Sequence, residues 1–367
     1  MIRHRFHSIC PYFAMFPESF VSHWVDALTN RGDIVIDPFS GRGTTAFQAL
    51  LMDRGAIAID TNPVAYVLTR AKANAPLRRD LDRRLDDLER RFRRRRKDIN
   101  SVEAIADQEA FFDLAFAKST LSQLLYLRSQ LDFEASDVDC MLAALTLGAL
   151  HGETSSPSYL SNQMPRTIST KPAYSVRYWC QRGLAPPERD VFEVLRDRIA
   201  FRYASSRPRR RARVFLGDMR NLPRLVPRGH ASLAITSPPY LDTTSFEEDQ
   251  WLRLWFLGGP PRPGMSRLSP DDRLVNRDRY WLFIGDMWRT LGYVVRPGGH
   301  VVVRIAGRTL TPDELRDGLE GTSCLSGRAA VLRSFHTSPI VRRQTDSFRP
   351  GSSGRATELD CHFQFQD

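Results

Sequence analysis

The sequence predicts an α/β fold: a mostly parallel seven-stranded sheet with helices on both faces, interrupted by a largely helical insertion. Three features predict it. Short apolar, β-rich runs alternate with helix-length stretches at 33–74 and again from 212 onward, the rhythm of a parallel sheet covered on both sides. A Gly-rich turn follows the first run directly and leads into a helix. Between 76 and 210 the rhythm gives way to helical patterning and then to irregular sequence.

The elements follow in order. Asp33–Ile36 (DIVI) is the first strand, and the turn Pro38-Phe39-Ser40-Gly41-Arg42-Gly43 leaves it. Thr44 or Thr45 opens a helix through TTAFQALLMDRG, with Gly55 as its C-terminal stop. AIAID at 56–60 is the second strand and NPVAYVLTRAKAN at 62–74 the second helix. In LRRDLDRRLDDLERRFRRRRKDI, Leu77, Leu81, Leu85, Leu88 and Phe92 share one helical face. Its run Arg93–Arg96 suits a DNA backbone, but Asp–Arg pairs at helical spacing favour an ordinary solvated face. Apolar helical stretches follow around 111–131 and 137–150. The segment SSPSYLSNQMPRTISTKPAYSVRYW, about 155–179, reads as a long ordered loop: a lid, a base-contacting surface or a structural wrap. ARVFLGD (212–218) and SLAIT (232–236) are further strands, and WLFIGDMWRTLGYVV (281–295) is a helix. RPGG at 296–299 turns into the strand HVVVRIAG. A helix from Asp313, then VLRSF and TELDCHFQF, close the chain, the last two strands pairing antiparallel at one sheet edge. The expected organisation is 1–75 as the first half of the sheet domain, 76–210 as the insertion and 211–367 as the second half.

Composition narrows the setting. Hydrophobic residues make up 42% of the 367, enough for a real core. The net charge of +11 suits a polyanionic partner, since each neutralised phosphate releases a counterion. The cations are almost all Arg, with Lys only at Lys72, Lys97, Lys118 and Lys171; a GC-rich coding sequence accounts for most of that bias. Five scattered cysteines, Cys10, Cys140, Cys180, Cys324 and Cys361, show no metal-ligand spacing and fit reduced thiols. The N-terminus has no secretory layout, and MLAALTLGAL at 141–150 is too short to span a bilayer. A soluble, cytoplasmic protein with no metal and no membrane partner is expected.

Two motifs carry the chemistry. DPFSGRGTT, at 37–45, lies at the C-terminal end of the first strand, where open parallel sheets bind ligands. Gly41 and Gly43 let the backbone approach a ligand without a Cβ clash, and the following helix presents unpaired N–H groups. Asp60 ends the second strand at about the spacing of an acid that binds ribose hydroxyls. The turn begins Asp-Pro-Phe and ends Thr-Thr, which is not the dinucleotide pattern G-x-G-x-x-G. TSPPY, at 236–240, follows the apolar strand SLAI. Its prolines fix an extended backbone and supply carbonyl acceptors; Ser237 adds a hydroxyl and Tyr240 a flat ring for stacking.

DPFSGRGTT resembles the S-adenosylmethionine motif of the amino-group DNA methyltransferases, which act on cytosine N4 or adenine N6. The resemblance implies a class I S-adenosylmethionine-dependent methyltransferase fold, Rossmann-like. It implies that Asp37, Pro38, Phe39, Gly41, Gly43 and Thr44 cradle the cofactor, that Asp60 binds its ribose and that Asp218, in FLGDMR, faces its adenine amine. YFAMFPESFV (12–21) is loosely similar to the family's remaining cofactor motif, and the Trp- and Leu-rich stretch after TSPPY is similar too. The acidic triplet Glu247-Glu248-Asp249 there reads as a helix start rather than a substrate contact.

TSPPY is similar to the form common in cytosine-N4 enzymes, where adenine-N6 enzymes more often carry Asp at the position of Ser237. Ser237, Pro238, Pro239 and Tyr240 are the expected catalytic set. They act by localising the amino lone pair for direct transfer to a base flipped out of the duplex. Cytosine-C5 chemistry is disfavoured, because it needs a thiolate and no cysteine follows a proline. The implied partner is double-stranded DNA, with a cognate restriction endonuclease or defence-system partner as a further expectation. With the cofactor motif ahead of the catalytic one, 76–210 is the candidate target-recognition region or a structural insertion. Two rivals are an RNA base amino-methyltransferase and a non-catalytic nucleic-acid-binding protein on this fold. The RNA enzymes usually carry a binding domain ahead of the first motif, for which the residues before Asp37 are too few.

Overall fold

The computed structural model describes residues 3–12, 17–94, 108–151, 159–163, 171–241, 246–263, 276–307, 309–339 and 357–366. They fall into two compact units. One, from 14–69, 208–244 and 268–367, holds the sheet; the other, from 1–13, 70–207 and 245–267, is helical. The helical unit thus takes in an N-terminal piece and the segment after TSPPY as well as the central span.

The sheet unit opens with helix α1 (Glu18–Leu28), strand β1 (Ile34–Asp37), α2 (Thr44–Leu51), β2 (Gly55–Asp60) and α3 (Pro63–Ala73). Thr44 does begin α2, but Gly55 does not end it. The left-handed residue beyond the helix is Asp53, φ 63°, so the stop comes two residues earlier and Gly55 is free to pair in β2. In the helical unit α4 (Arg78–Arg94), α5 (Glu109–Ala115), α6 (Lys118–Gln130), α7 (Asp137–Ala149), α8 (Pro172–Arg182) and α9 (Val191–Arg202) follow. The expected loop at 155–179 is therefore helical from Pro172, where Pro occupies the first turn and Gly183 closes the helix in the left-handed region; 155–158 and 164–170 lie outside the described residues. The sheet unit resumes with β3 (Arg213–Leu216), the one-turn α10 (Leu222–Leu225) and β4 (Ala231–Thr236). Next come α11 (Phe246–Phe256) of the helical unit, then α12 (Arg277–Val294), β5 (Val295–Ala306), α13 (Pro312–Ser323), β6 (Ala330–Pro339) and β7 (Thr357–Phe365). Asn276 caps α12 through its side chain, which starts that helix a turn before the apolar run. The RPGG turn lies inside β5 as an irregularity against β4.

The sheet order is β3-β2-β1-β4-β5-β7-β6; neighbours from β3 to β5 are parallel, and β7 runs antiparallel between β5 and β6. This is the class I methyltransferase sheet that the sequence led us to expect. β1 and β4 are apolar except for Asp37, Ser232 and Thr236 because both faces of a central parallel strand are covered. Under one face α12 buries Tyr280, Ile284, Met287, Trp288 and Leu291, with the Trp288 ring edge-on to Phe363 at 4.9 Å. β7 is different: Glu358, Asp360, His362 and Gln364 alternate with Leu359, Cys361, Phe363 and Phe365, so one of its faces is polar.

In the helical unit the leucine stripe of α4 is buried at Leu81, Leu85 and Leu88. Arg84 of α4 clamps Asp139 of α7 with two bonds, 2.8 and 3.0 Å. Glu89 receives Arg93 and Arg196, so the described part of the Arg93–Arg96 run is partly spent on α4 itself; Arg95 and Arg96 lie outside the described residues. Glu247–Asp249 fall in the first turn of α11.

Candidate functional site

The chain lays down β1, β2 and β3 outward in one direction and then returns to the other flank of β1 with β4. Strand order reverses between β1 and β4, and their C-terminal ends are where such sheets bind ligands. DPFSGRGTT leaves β1 at this point and TSPPY leaves β4 at it. A hydrogen bond joins the two motifs: the Thr236 hydroxyl donates to Asp37 Oδ1 at 2.8 Å.

Asp37 is buried, 2% exposed, and also accepts from the Phe39 N–H at 3.1 Å. Burial is the largest influence on its carboxyl, which is pushed up to about 6; the Thr236, Thr45 and Phe39 donors oppose the rise and the Asp60 charge adds to it. Asp60, half-buried at the end of β2, accepts from the Gly41 N–H at 2.8 Å and the Asn62 N–H at 2.9 Å, and burial lifts it also to about 6. Asp60 therefore ties the glycine turn to β2. Pro38 is buried, and the half-buried Phe39 ring lies 5.4 Å from Phe283. Thr44 is buried at the start of α2 and accepts from Arg42 Nε at 3.2 Å.

Gly43 has a packing reason that its motif does not announce. Its φ is +74°, and a Cβ there would lie 2.5 Å from Thr69 Oγ1 and 2.8 Å from Thr69 Cα. The bare Cα makes room for Thr69 of α3. Gly41, φ +50°, sits in the turn with its N–H held by Asp60.

Asp218 follows β3 and caps a short 3-10 helix, Met219–Asn221. Arg220 closes on it, donating Nε to Oδ1 and Nη2 to Oδ2, both at 2.9 Å, and also reaches Asp286 at 3.6 Å. Of the twelve expected residues, eleven cluster at the ends of β1, β2 and β4; Asp218 lies one strand farther out with its carboxylate held by Arg220.

In TSPPY, Pro238 is buried, Pro239 exposed, and Ser237 and Tyr240 half-buried. Ser237 Oγ donates to the Tyr240 hydroxyl at 3.2 Å. Burial pushes the Tyr240 phenol up, and the Glu358 carboxylate is the next largest influence in the same direction. The motif is pinned on its far side by a parallel bridge, Leu241 to Gly307.

Several partners were not read from the sequence. Thr236 looked like a strand terminus but is the link to Asp37. Thr69 has no sequence signal at all. Arg304 of β5, bidentate on Asp360 at 2.6 and 2.8 Å and reaching Glu358 at 3.2 Å, does: acids at alternate positions of an apolar terminal strand ask for a partner. Among the described residues no group of three or more His, Cys, Asp and Glu could hold a metal, and no helix is long and apolar enough to cross a membrane.

Residues 4–70 match the sequence model of a family described as DNA methylase, of the N6 and N4 type. The same region is 38% identical over 66 residues to the type II methyltransferase M.MjaII of Methanocaldococcus jannaschii, a stretch that is 18% of this chain and 12% of that protein. Over this segment the chain is similar to N6/N4 DNA methylase sequences, and it spans about an eighth of the length of the curated relative. Solved structures similar to it include TrmN from Thermus thermophilus, 11% identical with a TM-score of 0.36, covering 95% of this chain and 49% of that one. Geranyl diphosphate C-methyltransferase from Streptomyces coelicolor is 8% identical with a TM-score of 0.35, covering 94% and 79%. Neither likeness is close enough to bear on function.

The residues at the strand ends fit S-adenosylmethionine. That molecule carries a sulfonium and an ammonium, and Asp37 and Asp60 stand at adjacent strand ends with carboxyls that burial holds up to about 6, short of the cation that would lower them. When bound, it supplies an electrophilic methyl group.

Proposed function

We propose that this protein is an S-adenosylmethionine-dependent methyltransferase acting on an exocyclic amino group of a base in double-stranded DNA, with cytosine N4 as the target. The observation that carries the reading is the junction at β1 and β4, where a cofactor-type turn and TSPPY are joined through Asp37 and Thr236. The family match over 4–70 supports the cofactor half, and that family's description as DNA methylase supports DNA as substrate.

In this reading Asp37, Pro38, Phe39, Gly41, Gly43, Thr44, Asp60 and Asp218 line the cofactor side. An amino nitrogen on a base is a poor nucleophile because its lone pair is delocalised into the ring. Ser237 Oγ and the Pro238 carbonyl accept its protons and localise the pair, while Tyr240 stacks on the base. Such a pocket takes a base flipped out of the helix. Serine rather than aspartate at 237 favours cytosine. The span 76–210 is assigned to target recognition, and a restriction or defence partner fits the same reading.

The test is nucleoside mass spectrometry on DNA and RNA from a methylation-free host expressing the protein, with Ser237→Ala as control. N4-methylcytosine in DNA, lost in the control, is expected. N6-methyladenine would overturn the base assignment, modification in RNA alone would overturn the substrate, and no modification at all would overturn the activity.

A further inference from the structure

Methylation of an amino group leaves a proton to dispose of. As the lone pair forms the new N–C bond, the S–C bond breaks with its electrons going to sulfur, and the nitrogen becomes a cationic aminium. One N–H proton must then leave. A motif with Asp at position 237 would have a carboxylate in contact with that nitrogen. Ser237 can accept a hydrogen bond but cannot keep a proton near neutral pH, because a protonated hydroxyl is a strong acid.

The structure brings a carboxylate to the motif from another strand. β7 runs antiparallel to β5, so its first residues lie at the C-terminal edge of the parallel strands, on the level of the TSPPY loop. Glu358 pairs in register with Ala306, next to Gly307, which bridges to Leu241 directly after Tyr240. Glu358 is one of two acids served by one cation. Arg304 gives Nε and Nη2 to Asp360 and only Nη1 to Glu358, with Phe20 of α1 lying 4.0 Å from its guanidinium. The cluster is net negative, and Glu358 is its loosely held member. From β6, Ser338 faces Glu358 in register and His336 faces Asp360. The Glu358 side chain is 22% exposed, open enough to release a proton to solvent. Burial and the neighbouring Asp360 hold its carboxyl above the ordinary range against the pull of Arg304, so it binds a proton more readily than a free glutamate.

We propose that Glu358 is the terminal acceptor of the proton shed by the methylated amino group, reached through Ser237 and Tyr240. The aminium proton passes to Ser237 Oγ as the serine's own proton moves along its 3.2 Å bond to the Tyr240 oxygen. The Glu358 carboxylate, held by Arg304 through Nη1 alone, swings from that contact to take the phenolic proton, leaving both hydroxyls neutral, the base neutral and the carboxyl protonated. Glu358 acts through Tyr240 and is a positioning and relay residue. The inference rests on the methyltransferase reading above.

The experiment compares wild type, Glu358→Gln and Glu358→Asp in single-turnover methylation of DNA across pH 5–9. Equilibrium binding of S-adenosylhomocysteine and of DNA, and thermal unfolding, are measured on the same proteins. The wild-type rate should rise with pH and level off. Glu358→Gln should lose that rise and at least tenfold of the plateau rate with both affinities unchanged, and Glu358→Asp should restore part of it. A Gln variant with the wild-type rate and pH profile overturns the relay, as does a loss of rate matched by lost binding or stability. A wild-type protein that methylates nothing overturns the underlying reading as well, which separates the two failures.

Discussion

Asp37 should be a destabilising residue in the ligand-free protein, and replacing it by Asn should show this. Its carboxyl is held at about 6 in the fold against roughly 3.8 in the unfolded chain, with burial as the main cause. For an acid, a raised folded value means that ionisation favours the unfolded state, so stability is lost as pH rises through that window. At about 1.4 kcal/mol per pH unit the gap comes to about 3 kcal/mol at pH 8, shrinking to about 1.5 at pH 5 and below about 1 at pH 4. Asparagine keeps an oxygen for Thr236 and Phe39, and Thr45 has a hydroxyl oxygen that can accept from its amide. Asp37→Asn should therefore gain stability at pH 8, of order 2–3 kcal/mol, and little at pH 4, while binding S-adenosylmethionine more weakly. Urea unfolding of both proteins at pH 4, 5 and 8 measures the difference. A variant that is equally destabilised at all three values would refute the reasoning, since the carboxylate would then be stabilising through its hydrogen bonds.

The other predictions concern the same junction. Thr236→Val keeps shape and burial but removes the donor to Asp37, so the pH at which half of the cofactor affinity is lost should move up; calorimetric titrations between pH 5 and 8 read it, and an unmoved midpoint would count against the link. Gly43→Ala places a Cβ against Thr69 at a positive φ and should cost at least about 2 kcal/mol, read as a fall in the unfolding midpoint. Ser237→Ala and Tyr240→Ala should abolish methyl transfer and leave cofactor binding intact; full activity in either would remove the assigned mechanism.

How much was legible followed from the range of the interactions. β1, α2, β2 and α3 were readable because their signals are local: an apolar run, a Gly-rich turn, a second apolar run. β3 and β4 were readable as soon as the alternation resumed. Asp53 was not, because a left-handed aspartate leaves the same trace in sequence as any other loop residue, whereas Gly55 advertised a stop it does not make. The segment 155–179 misled for a related reason: its Ser and Pro content spoke for a loop, while Pro172 was instead opening a helix. Within the site, DPFSGRGTT and TSPPY announced themselves. Their connection did not, because Thr236 and Asp37 are 199 positions apart and nothing in either motif names the other. The packing reason for Gly43 was equally hidden, since Thr69 enters only when α3 packs.

The same separation explains how charge is arranged around the two motifs. Asp37 of the first motif and Asp60 at the end of β2 have carboxyls that burial raises, which suits a positively charged ligand and penalises the empty site. The acids of β7 sit beside Arg304, which satisfies Asp360 with two bonds and leaves Glu358 with one. Ser-Pro-Pro-Tyr carries no charge of its own, and the strands beside β4 bring carboxylates to it. β1 brings Asp37 to one side of the motif, and on the other side β5 and β7 reach the same edge, where the antiparallel turn of β7 delivers its acidic end rather than its aromatic one. Had β7 run parallel, Phe363 and Phe365 would stand there instead. The reversal of the last strand is thus tied to the electrostatics of the candidate site and not only to closing the sheet.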